Sequence, residues 1–505
     1  MKKITIIFLL ILMPLMSSAD VVRGDANGDG EIGMPDVMFI VNYILGTPAE
    51  TFNAANADAN LDGEIGMPDV MFIVQYILNG KFPGEDITYK MPELRISFEG
   101  ELSRDMDYLN GSMQLTNTDG SVVELPARFR TRGATASNYT MKPSLNMKLC
   151  TADYAEEADS SLLGLRSCSS LILDAMAIDR ICMRNRVAFD IWNDFSRLPY
   201  DTDFEGRNGT EGRFLELFIN GQYYGIYCLS DRINRKLLNL KKVQEKEDGS
   251  AVIRGVLYKN GTSDIVDQRE PCYSEDSTAC VIEWFNAWEL TYPEDYAGLQ
   301  AWHPLQDAFL NGTTKDYVKK YFYLQNLADY HLLIMALSIA DNWGNKNRFL
   351  SIRNITKNID DVDPTEADRR RFVITPWDLD TSLGGNYDGR YYDGSYTDWP
   401  LEVTFNNQPY PYYALCNDEE YNAILKQRWI EGRQGAFSVD SICTKLERYR
   451  DLFVKSGAWQ RMVEYFDAQQ YRPNYVSDLV REIEYIKEWY RDRFRKVDAF
   501  LGIKD

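Results

Sequence analysis

Histidine is almost missing from this chain: His303 and His331 are the only two in 505 residues. A histidine-based zinc site or a Ser–His–Asp triad therefore has little to draw on. His331 sits in an apolar helical pattern and reads as structural. Cysteine is sparse, with eight at positions 150, 168, 182, 228, 272, 280, 416 and 443, too few to scaffold a chain of this length. Cys272 and Cys280 bracket a polar loop and are the best-placed pair for a bridge. Cys182 and Cys228 have apolar neighbours and read as small buried hydrophobes. Positive charge is also short, 55 Lys and Arg against 76 Asp and Glu, a net charge of -21. Such a field repels phosphate backbones and anionic lipid, which argues against nucleic-acid and membrane-surface partners. Long apolar runs are missing apart from Ile4 to Met16, which follows Lys2 and Lys3 and precedes Ser17-Ser18-Ala19. That run is too short for an ordinary span and has the form of a secretory signal cleaved before Asp20. No Cys follows it, so a lipid anchor at such a Cys is not available. The expectation is a leader over residues 1–19 and no membrane span once it is removed.

What is present is enough apolar and aromatic material, 45% and 13%, for a large packed core rather than a disordered chain. An internal repeat comes first. The run from Asp25 to Asp36, DANGDGEIGMPD, recurs from Asp58 to Asp69 as DANLDGEIGMPD. Each copy leads into an apolar helical stretch, VMFIVNYILG and VMFIVQYILNG, that ends at a glycine, Gly46 or Gly80, where a left-handed cap costs little. Hard oxygen ligands at loop positions 1, 3, 5 and 12 around a turn glycine are what a Ca²⁺ loop needs. Asp25, Asn27, Asp29 and Asp36 supply that set around Gly30, and Asp58, Asn60, Asp62 and Asp69 around Gly63. Glu31 and Glu64 fall where a backbone carbonyl would bind. Two full matches at one offset make a metal-free polar turn a poor explanation. Pro83 and Gly84 mark a linker over Lys81–Asp86.

From about residue 90 the pattern changes. Alternation in LRISFEG, SVVELPARFRTRG and PSLNMKLC predicts antiparallel strands. A helix is expected around Arg184–Phe195, then a hairpin at RFLELFINGQYYGIYCL, turning at Asn220-Gly221. Tyr317–Ile339 reads as one long apolar helix. Two short strands, NRFLSIRN and RRFVITPWDLD, follow, and the chain beyond Asp418 is mostly helical. Its last helix carries Ile483, Ile486, Tyr490, Phe494, Val497 and Leu501 as a core-facing stripe. Sheet first and helices later predicts a two-lobed α+β domain.

Three polar clusters stand out in this part. One is Arg130-Thr131-Arg132-Gly133 followed by Lys142-Pro143-Ser144-Leu145-Asn146-Met147-Lys148, in which alternate residues would share one strand face and aim both lysines into a cleft. Another is Asp179 with Arg184-Asn185. The last is Asp341-Asn342-Trp343-Gly344-Asn345-Lys346-Asn347 with Pro376-Trp377-Asp378-Leu379-Asp380. A carboxylate to orient a hydroxyl, oxygens to hold Mg²⁺ and cations for phosphates are what phosphoryl transfer requires, although Asp-rich turns are also common as plain structure.

The repeat over residues 22–80 resembles a type I dockerin. The order RTRG…KPS, D…RN, FINGQYYGIYCLSDR, DN…N and PWDLD resembles the CotH family of atypical, spore-coat-type protein kinases, over about residues 92–500. Together these resemblances imply a small all-α, EF-hand-like dockerin module over residues 20–86, with two calcium sites. They also imply a two-lobed, protein-kinase-like α+β domain over residues 87–505 that uses ATP and magnesium to phosphorylate secreted proteins on hydroxyl side chains. Carried over by position, Asp341 is the catalytic-loop carboxylate and Asp378 the metal-binding one. Asn345 or Asn347 assists the metal, and Lys142, with Lys148 as rival, meets the phosphates together with Arg132. Trp377 walls the cleft, stacks on the adenine, or is a core residue. The implied partner of the dockerin is a cohesin-like protein in polysaccharide-degrading assemblies, or the chain's own large domain. The implied location is outside a bacterial cell: secreted, periplasmic or on the surface.

The chain departs from the pattern in having no G-x-G-x-x-G loop, in Ala134 after Arg132-Gly133, and in Met34-Pro35 and Met67-Pro68 where dockerins carry polar contacts. The kinase offset from Asp341 lands on Lys346, and ITKNIDDVDPTEADRRR reads as an insertion. Two other readings are a non-catalytic scaffold and a carbohydrate-active enzyme. The latter needs two facing carboxylates, and no such pair is recognisable.

Overall fold

The structure is a computed structural model that describes residues 22–60, 62–83, 89–103, 107–133, 141–200, 206–260, 272–273, 279–282, 285–296, 298–339, 341–342, 347–386, 401, 411–470 and 475–503. The expected leader and Asn345 lie outside them, as do the side chains of Cys272 and Cys280. The chain divides into two compact units, Met1–Thr88 and Tyr89–Asp505.

In the first unit each loop feeds a helix, α1 (Met34–Ile44) and α2 (Met67–Asn79). Both start alike. Pro takes an early position where its missing N–H costs nothing, and Asp36 or Asp69 accepts the N–H of the glycine before the helix at 2.8 Å. The two helices pack through Val37, Ile40, Val70 and Ile73 around Ala26, Ala57, Ala59 and Phe82. Met34, Met38, Met67 and Met71 remain more than half exposed.

The second unit opens with seven strands: β1 (Glu93–Phe98), β2 (Leu109–Thr116), β3 (Val122–Thr131), β4 (Leu145–Leu149), β5 (Ser170–Asp174), β6 (Gly212–Ile219) and β7 (Gln222–Asp231). They close a barrel in the order β1-β2-β3-β4-β5-β7-β6. Every pair is antiparallel except β1 with β6, which closes it in parallel. Alternate residues, among them Leu94, Ile96, Met113, Phe129, Met147, Leu173 and Leu217, fill the interior, as a period of two requires. The β6–β7 hairpin turns at Asn220-Gly221, both at positive φ (49° and 81°), the conformation that an Asn-Gly turn favours. Between β5 and β6 runs α3 (Arg184–Phe195). Asp179 caps it from outside, accepting the Met183 and Arg184 N–H groups at 2.7 and 2.8 Å and pairing with the Arg184 guanidinium at 2.6 Å.

A second sheet follows: β8 (Val256–Asn260), β9 (Cys272–Tyr273), β10 (Ala279–Ile282), β11 (Phe285–Tyr292), β12 (Arg348–Ile352) and β13 (Val373–Pro376). Its spatial order is β9-β10-β11-β8-β12-β13. The segment expected as one helix over Tyr317–Ile339 is two, α4 (Lys315–Tyr321) and α5 (Leu324–Leu337). Phe322 breaks it by turning extended, bridging to Phe372 and stacking on that ring at 4.9 Å. The insertion between β12 and β13 forms a short 3₁₀ turn and a helix at Pro364–Asp368. The C-terminal part is α6 (Glu419–Gly432), α7 (Val439–Lys455), α8 (Ala458–Ala468) and α9 (Leu479–Phe500). On α9, Ile483, Ile486, Tyr490 and Val497 are fully buried in the largest core. Cys182 and Cys228 are buried free thiols in that core, as expected. Among the described residues no helix is long and apolar enough to cross a membrane.

Candidate active site

A cleft of about 400 Å³ opens between the barrel rim and the second sheet, within the range of small-molecule sites. The barrel supplies Arg130, Thr131, Arg132 and Gly133 from the end of β3, Asn146 from β4, and Arg232 after β7. The sheet supplies Lys259 from β8, Glu289 from β11, Asn347 and Phe349 at the start of β12, and Trp377-Asp378 after β13. Three arginines from the barrel thus meet Lys259, Glu289 and Asp378 from the sheet.

The acidic side is tightly organised. Asn347 donates its side-chain amide to Asp341 at 3.1 Å, and the Asp341 N–H donates to Thr381 Oγ1 at 3.2 Å. The buried Asn342 ties the two segments together, donating to the carbonyls of Asn347 and Trp377 at 3.0 and 2.7 Å. Asn347 and Asp378 both stand at positive φ, 58° and 57°, a conformation that non-glycine residues keep only where surroundings impose it. Asn185 reaches in from α3. It donates to Asp174 at 2.9 Å and accepts the Leu379 N–H at 3.1 Å, which locks the PWDLD turn to the barrel. Asp380 is the most perturbed group. Burial, then the charges of Asp378, Asp174, Asp179 and Asp341, hold its carboxyl well above the usual range. A site in which like charges crowd in this way favours a cation.

On the basic side, the Arg132 guanidinium lies 5.1 Å from the Trp377 ring centroid. Burial lowers its pKa while Asp174 and Asp378 oppose the shift. Burial also lowers Lys259, against the pull of Glu289 at 3.9 Å. Trp377 packs edge-on to Phe349 at 5.8 Å.

The structure therefore brings Arg132, Asn347, Trp377 and Asp378 into one cleft, with Asp341 hydrogen-bonded behind Asn347. It does not bring in the two lysines. Lys142 precedes β4 rather than lying on it and is fully buried, its ammonium 3.6 Å from Met462 Sδ and about 5 Å from the Tyr227 and Tyr475 ring centroids. Burial depresses its pKa. Lys148 does lie on β4, but it pairs with Glu157 at 2.6 Å. The expected shared strand face fails because the strand begins only at Leu145. Sequence reasoning gave no role to Lys259, Arg232, Asp174, Asn185 or Asp380. Of these, Asp380, inside the PWDLD motif, Arg232, at the end of FINGQYYGIYCLSDR, and Asn185, beside Arg184, carried a local signal.

The two loops of the first unit agree to about 0.1 Å. Asp25 accepts the Asp29 and Gly30 N–H groups at 3.0 and 3.1 Å, and Asp58 accepts those of Asp62 and Gly63 at 3.1 and 3.0 Å. Asp36 and Asp69 close each loop on the Asn27 and Asn60 N–H groups, both at 3.0 Å. Asn27 and Asn60 turn their amides to Asp29 and Asp62, whose carboxylates also accept the Glu31 and Glu64 N–H groups. Asp36 is raised by burial and by the charges of Asp25 and Asp29, despite two backbone hydrogen bonds. Among the described residues no three acidic, imidazole or thiol groups close on a point by themselves. A hard, oxygen-coordinated cation takes Asn and backbone oxygens as well as carboxylates.

Comparison with known proteins agrees with this division. The type I dockerin domain model matches residues 23–78, and the model described as CotH kinase protein matches residues 129–497. A search of curated proteins found no match. With most of its length covered by that second model, the chain belongs to the CotH kinase family and carries a type I dockerin domain near its N-terminus.

Proposed function

We propose that this protein is a secreted phosphotransferase that moves the terminal phosphate of ATP to hydroxyl side chains of extracellular proteins, through a two-lobed, kinase-like domain. The observation that carries this is one cleft lined by Arg130, Arg132, Arg232 and Lys259 together with Asp378 and Asn347, whose amide holds Asp341. The basic wall suits the phosphates, with Lys259 taking the part expected of Lys142 or Lys148. Mg²⁺, when bound, neutralises charge that develops on the phosphate oxygens. It usually takes one or two carboxylates plus substrate phosphates, and Asp378 and Asp380 are the carboxylates for it, with Asn347 assisting. Asp341, oriented by Asn347, would accept the proton of the attacking hydroxyl. The Trp377 ring, held by Phe349 and Arg132, would wall the nucleotide. The dockerin module would bind two calcium ions and dock, through its Met-bearing helices, on a cohesin-like partner outside a bacterial cell.

A second reading, a non-catalytic scaffold, draws on Lys142, which is buried and absent from the cleft lining. Calorimetric titration with Mg²⁺–ATP separates the two. One saturable site, weakened about tenfold or more by Asp378→Asn or Lys259→Ala, supports the phosphotransferase; this corresponds to one charge-assisted contact of about 1.5–3 kcal/mol. Parent protein that takes up no nucleotide leaves the scaffold reading standing.

A further inference from the structure

The second unit also carries a separate groove of about 860 Å³. It runs between the barrel and α8, and none of its lining residues belongs to the cleft described above. Its floor is a built network. Glu216 is 5% exposed and accepts from Arg461 Nε and Nη2 at 3.1 and 2.6 Å and from Tyr223 Oη at 2.7 Å. Around it stand Tyr89, Phe218, Tyr223 and Tyr465. Two of these rings already take cations over their faces: the Arg95 guanidinium lies 3.9 Å from the Phe218 centroid and the Lys455 ammonium 4.9 Å from that of Tyr89.

The lips differ from the floor. Asp119, in the turn between β2 and β3, accepts from the Ser121 hydroxyl and N–H at 2.7 and 2.8 Å, and these bonds keep it ionised to lower pH than usual. Glu464, on α8, accepts the Gln460 amide at 2.7 Å. Among the described residues neither carboxylate is in an ion pair. Glu93 is paired with Arg95 at 2.8 Å, and Lys90 is the other cation besides Arg461 in the lining. The groove therefore combines net negative lips, cation-accepting rings and room for several residues.

We propose that this groove docks a basic segment of a protein partner or substrate, an extended peptide whose Lys or Arg side chains meet Asp119 and Glu464 and lie along the tyrosine rings. A neutral sugar is less well matched, because it would leave the charges of Asp119 and Glu464 unmet. The inference does not depend on phosphate transfer, and its test uses no nucleotide.

The test is fluorescence anisotropy on the full chain with a labelled octapeptide of alternating Arg and Ser at low salt. Binding should weaken about three- to tenfold in D119N/E464Q, the scale of two partly exposed charge pairs. It should stay unchanged in E488Q/D492N, which removes the same charge from α9. Glu464→Lys, on an exposed helix face, should act in the same direction with the Asp119 turn intact, which covers the case in which the double variant misfolds. Equal weakening by the α9 pair would mean that bulk charge alone attracts the peptide and would overturn the proposal. So would failure of the parent to bind, or displacement of the peptide by a neutral oligosaccharide.

Discussion

Asp380 shows most clearly how the candidate cleft is loaded. Its folded-state pKa lies well above the ordinary 3.8 because burial and four neighbouring carboxylates disfavour the charged form. The folded protein therefore holds this proton to higher pH than the unfolded chain does. The sign of the linkage follows: stability is lost as pH rises from about 4 through the folded value, and a cation in the cleft restores it. Asp380→Asn should raise the melting temperature at pH 7 in chelator and give no gain near pH 3, where both forms are protonated. Mg²⁺ should stabilise the parent more than the variant. Scanning fluorimetry that finds Asp380→Asn destabilising at pH 7 would contradict the crowding described here. At this scale the sequence was partly legible. Asp341 and Asp378 could be picked out because each lies in a compact motif. Lys259 could not, since nothing in the strand VLYKN says which face meets a cleft built from segments spread between Arg130 and Asp378. The lysines failed for a related reason: alternation across Lys142–Lys148 implies a common face only if the strand already runs at Lys142, and it begins at Leu145.

Elements were read best where the signal is local. The Asn220-Gly221 hairpin, the α3 boundaries and the buried stripe of α9 all follow from periodicity and turn chemistry. The barrel did not, because its closure depends on the parallel pairing of β1 with β6, between segments about 120 residues apart, which leaves no pattern in either strand. The break at Phe322 was hidden likewise, its partner Phe372 lying far along the chain. Two measurements probe this scale. Ile483→Ala removes fully buried atoms from α9 and should cost about 2–5 kcal/mol in denaturant unfolding, the usual range for such a cavity. A value near zero would mean that α9 does not anchor the helical core. His331, buried on α5 with its Nδ1 3.1 Å from Tyr421 Oη, has its pKa driven down to about 3 by burial. A depressed histidine stays neutral in the fold while the unfolded chain gains a proton, so its contribution is lost as pH falls below about 6.5 toward 3. Each pH unit in that window costs about 1.4 kcal/mol. His331→Gln should flatten that part of the acid-denaturation curve, and an unaltered slope would place the acid sensitivity elsewhere.

For the molecule as a whole, the pairing of a dockerin with a CotH domain was legible because both carry specific strings of residues. The dockerin reading leads to a simple expectation. In the first loop burial, with the charges of Asp25 and Asp29 adding to it, raises the Asp36 carboxyl, and any cation that binds the folded form stabilises it in proportion to the logarithm of its concentration. Chelation should lower the melting temperature of the isolated 20–86 segment, and Ca²⁺ should restore it; identical melting curves in both conditions would contradict calcium binding. The central claim concerns the large unit, and labelled-phosphate transfer from ATP with Mg²⁺ tests it most directly. The account predicts that the parent protein labels itself or a secreted protein substrate. Asp341→Asn should bind nucleotide nearly as the parent does while losing most of the transfer, on the order of 10²–10⁴-fold for a general base. A parent protein that binds Mg²⁺–ATP yet transfers nothing to any hydroxyl-bearing protein, itself included, would contradict it.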